Sequence, residues 1–125
     1  MNNAERLNAL YKKYELTPDD YFKHKFYTII TRNGIDKIQS KAGIDITYDL
    51  IHHSADCKVV IMKATGRIGE KQIETFGEVN PNNNSNAYPI AMAEKRAMSR
   101  IVLKLAGFYE LSAFGEDEAE DFKRS

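Results

Sequence analysis

The fold is decided by residues 44–79, IDITYDLIHHSADCKVVIMKATGRIGEKQIETFGEV. Apolar and polar residues alternate along 44–53, as they do in a strand that buries one face. The run at 58–66 is apolar at four consecutive positions, which favours a central strand covered on both faces. Short polar turns separate these two runs from each other and from a third run at 72–79. We therefore predict an antiparallel three-stranded meander.

A long helix follows the meander in the sequence. Residues 88–106, YPIAMAEKRAMSRIVLKLA, repeat apolar residues at helical spacing. We expect Ala93 and Ala97 to let this helix approach the sheet closely, because alanine adds little side-chain bulk. Further patterns predict an extended segment at 26–30 and short helices at 4–14, 16–22 and 32–42. The predicted fold class is α+β, a three-stranded antiparallel meander with a long C-terminal helix packed across it and short N-terminal helices.

Composition limits the chain to one folded domain. It has 125 residues, 42% of them hydrophobic, with 18 basic and 18 acidic side chains. No apolar run is long enough for a membrane span or a signal-peptide core, so we predict a cytoplasmic protein with no membrane partner. The single cysteine excludes an intramolecular disulfide. We expect a domain over 1–114 and a flexible acidic tail over 115–125, which either solubilises the chain or competes with a polyanionic ligand.

The long predicted helix carries a row of cations. Arg96, Arg100 and Lys104 follow one another at i, i+4 positions, so their like charges repel unless an anion lies nearby. The phosphates of a single-stranded nucleic acid are one candidate anion. Carboxylates of the protein itself, from Glu94, Glu110 or the acidic tail, are the other. The spacing alone leaves both interpretations open.

A second set of candidate binding residues lies around the meander. Lys63, Arg67 and Lys71 surround the predicted turn between the second and third strands, and we expect them to form the opposite wall of a groove facing the helix cations. Tyr88, just before the long helix, is a candidate for base stacking. Each has a plainer alternative, which is solubility for the three cations and a packing role for the tyrosine.

The order of these elements resembles the core of phage single-strand annealing proteins of the RecT, Redβ and Erf type. The likeness covers roughly residues 26–108 and includes ITRNGIDKIQSKAGI, the meander and AMAEKRAMSRIVLKLAGF. The A-x-x-R pattern of that family's helix is matched by Ala93, Arg96, Ala97 and Arg100. The resemblance implies ATP-independent and metal-independent binding of single-stranded DNA, annealing of complementary strands, and assembly into rings or filaments. Members of the family are usually longer, so this chain resembles either a minimal version or an accessory binding protein.

Candidate catalytic residues are few. His52 and His53 are adjacent in a predicted strand, so their side chains point to opposite faces and cannot share a metal ion. We interpret Cys57 as a small core residue beside the apolar run rather than as a nucleophile. The acidic residues match no nuclease pattern, and no glycine-rich phosphate-binding loop is present. We therefore predict no enzyme activity, no metal and no cofactor.

The basic residues predict a protein that binds single-stranded DNA, with RNA as an alternative ligand. The resemblance implies strand annealing in bacteriophage-type recombination or replication, and assembly into a homo-oligomeric ring or filament. A function of another class also fits the sequence. It is a non-enzymatic scaffold module whose basic helix face meets an acidic partner.

Overall fold

A computed structural model describes residues 2–85 and 87–118 of the chain. The helices are α1 (Asn3–Lys13), α2 (Arg32–Ala42), α3 (Pro89–Ala106) and a 3-10 helix at Tyr109–Leu111. The strands are β1 (Tyr21–Lys23), β2 (Thr28–Ile30), β3 (Asp45–His53), β4 (Val60–Ile68), β5 (Lys71–Val79) and β6 (Ala113–Gly115). The predicted α+β class is confirmed, with α3 packed across the strands.

The predicted meander is present as the antiparallel sheet β3-β4-β5. Its register aligns Asp49 with Lys63 and Lys63 with Phe76. Alternate residues of β4 are buried, and the residues between them are half-buried or exposed. One face of the meander therefore joins the core while the other faces outward, and β3 and β5 form the two edges.

A second sheet, which sequence analysis did not predict, has the order β1-β2-β6. β2 pairs antiparallel with β1 and parallel with β6. The helix expected at 16–22 is absent; the carboxylate of Asp20 accepts hydrogen bonds from the Thr17 amide (2.9 Å) and hydroxyl (3.2 Å) instead. This turn leads directly into β1. Strands of three residues carry too short an alternation to be recognised from sequence.

Helix α2 begins and ends where the sequence predicts. The hydroxyl of Thr31 accepts a hydrogen bond from the Gly34 amide at 3.2 Å, which caps the N-terminus. Gly43 adopts φ 69°, and this left-handed residue ends the helix. The helix is fixed to the preceding turn by an ion pair between Lys37 and Asp20 at 2.6 Å.

Helix α3 is the centre of the molecule. The meander packs on one side of it, while α2 and β6 pack on another, so most of its middle turns are buried. It approaches the sheet so closely at Gly77 that an added Cβ would lie 2.0 Å from the Ala93 carbonyl oxygen and 2.6 Å from the Ala97 amide nitrogen. The Thr75 hydroxyl donates to the Ala97 carbonyl at 3.2 Å. The expected close contact of Ala93 and Ala97 with the sheet is confirmed.

The predicted domain boundary after residue 114 lies too early. Gly115 belongs to β6 and aligns with Ile30, and the next acidic residue, Glu116, accepts a hydrogen bond from the Arg32 amide. Residues 115–118 are therefore part of the folded body. The remainder of the expected flexible tail, 119–125, lies outside the described residues. Among the helices that are described, none combines the length and apolarity needed to cross a bilayer.

Candidate nucleic-acid interface

Arg96, the first cation of the predicted ridge, is buried, with only 1% of its surface exposed. Its Nη1 donates to the Glu78 carbonyl and to the Asn83 side-chain oxygen, both at 3.0 Å. Its Nη2 donates to the Asn83 carbonyl at 2.7 Å, and its Nε donates to the Asp117 carbonyl at 3.2 Å. The expectation that Arg96 lines an open channel is wrong, because every guanidinium nitrogen is directed at the protein.

Arg100 is partly enclosed in the same way. Its Nη1 donates to the Phe76 carbonyl at 2.6 Å, and its Nε lies 3.4 Å from the Glu118 carboxylate. Four helix residues advance about 6.0 Å and two strand residues about 6.8 Å. Arginines four apart on α3 thus match the outward carbonyls of Phe76 and Glu78, two apart on the edge strand β5. The i, i+4 spacing here serves to cover a sheet edge, which otherwise presents unpaired backbone groups.

Lys63 and Arg67 do not face α3. They occupy the β4 positions that alternate with the buried ones, so they lie on the outward face of the meander. Lys63 is 4.0 Å from the Glu74 carboxylate, and Arg67 donates two hydrogen bonds to the Gln72 side-chain oxygen, at 2.6 and 3.2 Å. The predicted groove between these residues and the helix cations is therefore wrong for this pair.

Tyr88 is 71% exposed, in agreement with an accessible ring. It precedes the first turn of α3, whereas Lys104 lies in the last turn. The intervening helix is about 24 Å long. Tyr88 and Lys104 therefore lie at opposite ends of α3.

Lys71 and Lys104 are the two predicted site residues that the fold brings together. Both line a depression of about 390 Å³ at the C-terminal end of α3, together with Tyr109 and Glu110. The Lys104 ammonium lies 5.1 Å from the centre of the Tyr109 ring. Neither lysine has a carboxylate within ion-pair distance among the described residues.

An aromatic surface begins at this depression and crosses the second sheet. The Tyr109 and Phe114 ring centres are 5.0 Å apart. The chain of contacts then runs from Phe114 to Tyr27 (6.3 Å), from Tyr27 to His24 (4.8 Å) and from His24 to Phe22 (5.4 Å). We call these five residues the aromatic face.

The second sheet explains why these rings share one side of the molecule. Phe22, Ile29 and Phe114 lie opposite one another on β1, β2 and β6, and opposed residues point to the same face of a sheet. Ile29 in the middle is fully buried, whereas Phe22 at the edge is 46% exposed. The small sheet thus forms a platform whose surface is aromatic.

Cations and a further ring lie at the far end of the aromatic face, on the hairpin between β1 and β2. A hydrogen bond of 2.8 Å from the His24 amide to the Tyr27 carbonyl closes the turn. Phe26 at the tip is 81% exposed, and the Lys25 ammonium lies 5.3 Å from its ring centre. Over the ranges 2–85 and 87–118, Lys23 and Lys25 form no salt bridge.

Sequence reasoning missed this hairpin, although a signal was available. Residues 22–27 read FKHKFY, an interleaving of rings and basic side chains with no acidic residue. That composition is typical of surfaces that stack bases and neutralise phosphates. The segment is too short for a periodic pattern, and only its last two residues were assigned to an extended segment.

The Tyr109 phenol, at the inner end of the aromatic face, is harder to ionise than an ordinary tyrosine. Burial raises the pKa of the Tyr109 phenol, and the nearby Glu118 carboxylate raises it further. The phenol therefore stays protonated at physiological pH and retains its hydrogen-bond donor. A neutral ring adds no negative charge that would repel a phosphate.

Cys57 differs from its predicted place in the core. It lies half-exposed in the turn between β3 and β4, with φ 58°, and its Sγ is 3.8 Å from His53 Nδ1. It also lines a cavity of about 460 Å³ beside the start of α3. His52 and His53 lie opposite Ile61 and Val60 and so point to opposite faces, as expected. No cluster of three or more potential metal ligands occurs among the described residues.

Comparison of the chain with protein-family models, with curated proteins and with solved structures finds no match. The resemblance to phage annealing proteins therefore stays a prediction.

Proposed function

We propose that this protein binds single-stranded nucleic acid along the aromatic face, with the phosphate backbone held by the lysines at its two ends. The supporting observation is a row of adjacent rings, of which Phe22 and His24 are exposed and the other three are half-buried. Lys23 and Lys25 lie at one end of this row and Lys71 and Lys104 at the other, and none of the four forms an ion pair with a described carboxylate. Every base has a π-face, so such a surface accepts any sequence.

The chemistry is association without bond cleavage. Bases stack on the rings, while the ammonium groups displace counterions from the phosphates. If each of the four lysines meets one phosphate, log affinity falls against log salt with a slope of about −2.8, from about 0.7 per contact. Neutralised phosphates also repel a complementary strand less, which is how the same surface promotes annealing.

The test is fluorescence anisotropy with labelled oligo-dT at several salt concentrations. Lys23→Ala/Lys25→Ala is expected to bind more weakly, with a slope of about −1.4. The matched control, Lys63→Ala/Arg67→Ala, removes the same charge from the outward face of the meander and should keep the parent slope. Equal weakening by both variants, or a parent that binds independently of salt, contradicts the proposal.

Stacking is tested separately by Phe26→Ala. The ring is so exposed that its loss should leave the fold intact, as checked by circular dichroism. A stacked base contributes roughly 1–3 kcal/mol, so affinity should fall about 5- to 150-fold. If Phe26→Ala binds oligo-dT as tightly as the parent, the hairpin tip is not part of the interface. The same titration with oligo-U decides between DNA and RNA preference.

Annealing and self-assembly are further parts of the proposal. Mixing complementary labelled oligonucleotides in stopped flow measures annealing, and light scattering with and without oligo-dT measures assembly. The rival scaffold function is supported by a different observation, the contact of acidic residues 116–118 with the arginines of α2 and α3. If the protein is a scaffold, it should not bind oligonucleotides. Its self-association or its binding to a protein partner should then change in the Arg100→Ala variant.

A further inference from the structure

Three consecutive acidic residues, 116–118, lie against cationic and hydrogen-bond-donating groups from two helices. The Glu116 carboxylate accepts a 2.6 Å hydrogen bond from the Arg32 amide in the first turn of α2. The Asp117 carboxylate accepts from the Ser99 hydroxyl at 3.0 Å and lies 3.9 Å from the Arg32 guanidinium. The Glu118 carboxylate lies 3.4 Å from Arg100 Nε. We call the donor groups of Arg32, Ser99 and Arg100 the covered basin.

The covered basin has the composition of an anion site. It combines the amide of a helix N-terminus, which carries partial positive charge, with two guanidinium groups and a buried hydroxyl. Arginine binds carboxylate and phosphate through the same geometry of N–H groups. The carboxylates of residues 116–118 fill it in the folded protein, so the basin holds negatively charged oxygens.

The basin is continuous with the aromatic face. Residue 116 comes two positions after Phe114 along the chain, and Arg100 and Glu118 both act on the Tyr109 phenol. A nucleic-acid backbone that passes Tyr109 and Lys104 would next meet Arg100 and Arg32. Residues 116–118 lie across that path.

We propose that the covered basin is a second phosphate-binding site for the same single-stranded nucleic acid, and that residues 116–118 occupy it as an internal competitor. This inference rests on the proposed function. Displacement of the acidic residues exchanges carboxylate for phosphate at Arg32 and Arg100. Arg96 keeps its bonds to the Glu78 and Asn83 carbonyls in this exchange, and only its Nε loses a partner, the Asp117 carbonyl.

The test uses the full chain with Glu116→Gln/Asp117→Asn/Glu118→Gln, which keeps side-chain size and removes the charges. Two new phosphate contacts steepen the salt slope for oligo-dT by about 1.4, so the affinity ratio between 50 and 200 mM salt widens about sevenfold. The control, Asp45→Asn/Asp49→Asn/Glu74→Gln, makes the same change in net charge on the outward face of the meander. It should leave the slope at the parent value.

Arg32→Ala provides the second variant. Introduced into the charge-neutralised chain, it should remove about half of the added slope, because one of the two uncovered cations is then missing. If that chain does not fold, Asp117→Asn alone repeats the test at the Arg32 guanidinium, which lies 3.9 Å from the Asp117 carboxylate, with an expected steepening of about 0.7.

The outcomes separate the two proposals. If the parent binds oligo-dT and the charge-neutralised chain has the same salt slope, residues 116–118 are not an internal competitor. The proposed function is unaffected by that result. An effect equal to that of the meander control also overturns the internal competitor, since net charge alone then accounts for the gain. Absence of binding by every variant overturns the proposed function, and the inference falls with it.

Discussion

The i, i+4 cations of α3 allow a sharp prediction about stability. If they cover the edge of β5, alanine substitution destabilises the protein in the order Arg96, Arg100, Lys104. Arg96 is almost fully buried and donates four hydrogen bonds, to one side-chain oxygen and three backbone carbonyls. Removing it leaves those carbonyls without donors and a cavity beside them, a loss of about 3–5 kcal/mol. For a chain of this length each kcal/mol lowers Tm by roughly 4 °C, so Tm falls by about 12–20 °C.

The alanine variants of Arg100 and Lys104 should lose less unfolding free energy than Arg96→Ala. Arg100 is 30% exposed at its side chain and donates to one carbonyl, so Arg100→Ala is expected to lose about 1–2 kcal/mol. Lys104 is exposed and contacts the Tyr109 ring, and its removal should leave the unfolding midpoint nearly unchanged. Urea unfolding followed by circular dichroism measures all three free energies of unfolding.

Arg96→Lys separates the hydrogen-bonding role from the charge. Lysine keeps the charge but has no planar fork of donors, so it cannot satisfy the Glu78, Asn83 and Asp117 carbonyls together. We expect a loss of about 2–3 kcal/mol. The edge-covering role is refuted if the three alanine variants lose small and equal amounts of unfolding free energy and Arg96→Lys is as stable as the parent. If each alanine variant also loses oligo-dT binding, the three cations form an exposed binding ridge instead.

Three further predictions concern the packing at Gly77, the pH dependence of stability at Asp20 and the ionisation of Tyr48. Gly77→Ala should lower the free energy of unfolding by about 3 kcal/mol in urea titrations, because the new methyl meets helix backbone, while Gly43→Ala, with open space around it, loses only about 1 kcal/mol. Burial opposes ionisation of Asp20, yet hydrogen bonds from Lys37 and Thr17 hold its pKa below the usual value. The stability that this carboxylate contributes is therefore present above about pH 4 and lost as pH falls through the lowered pKa, so unfolding of Asp20→Asn and parent should converge there. Burial raises the pKa of Tyr48 to about 12, and ultraviolet titration should show that phenol ionising near pH 12.

The larger elements were predictable because each has enough residues to show a period. The limits of α2 follow from Thr31 and Gly43, which satisfy backbone groups within one turn and need no distant partner. The meander follows in the same way from alternation over nine-residue strands. The second sheet was missed because its strands have three residues each and are held together by contacts between distant parts of the chain.

The candidate site was predicted only in part, for a related reason. Lys71 and Lys104 were identified as cations, but their meeting at one depression depends on how α3 crosses β5. Phe114 and Phe22 are more than 90 positions apart in sequence and share a face only because β6 pairs parallel with β2. No local pattern encodes that pairing.

The α+β class, the meander, the caps of α2 and the close helix contact at Ala93 and Ala97 can be read from the sequence, since they depend on periodicity and side-chain size over neighbouring residues. Which cations face solvent depends instead on how the elements pack together. The sequence pattern of arginines four residues apart is the same whether the side chains face phosphates or the carbonyls of an edge strand. Phosphate oxygens along a nucleic-acid backbone and carbonyl oxygens along a strand edge are similarly spaced. The difference lies in what packs beside the helix, and for Arg96 it is β5, the asparagine-rich loop and the start of the acidic tail.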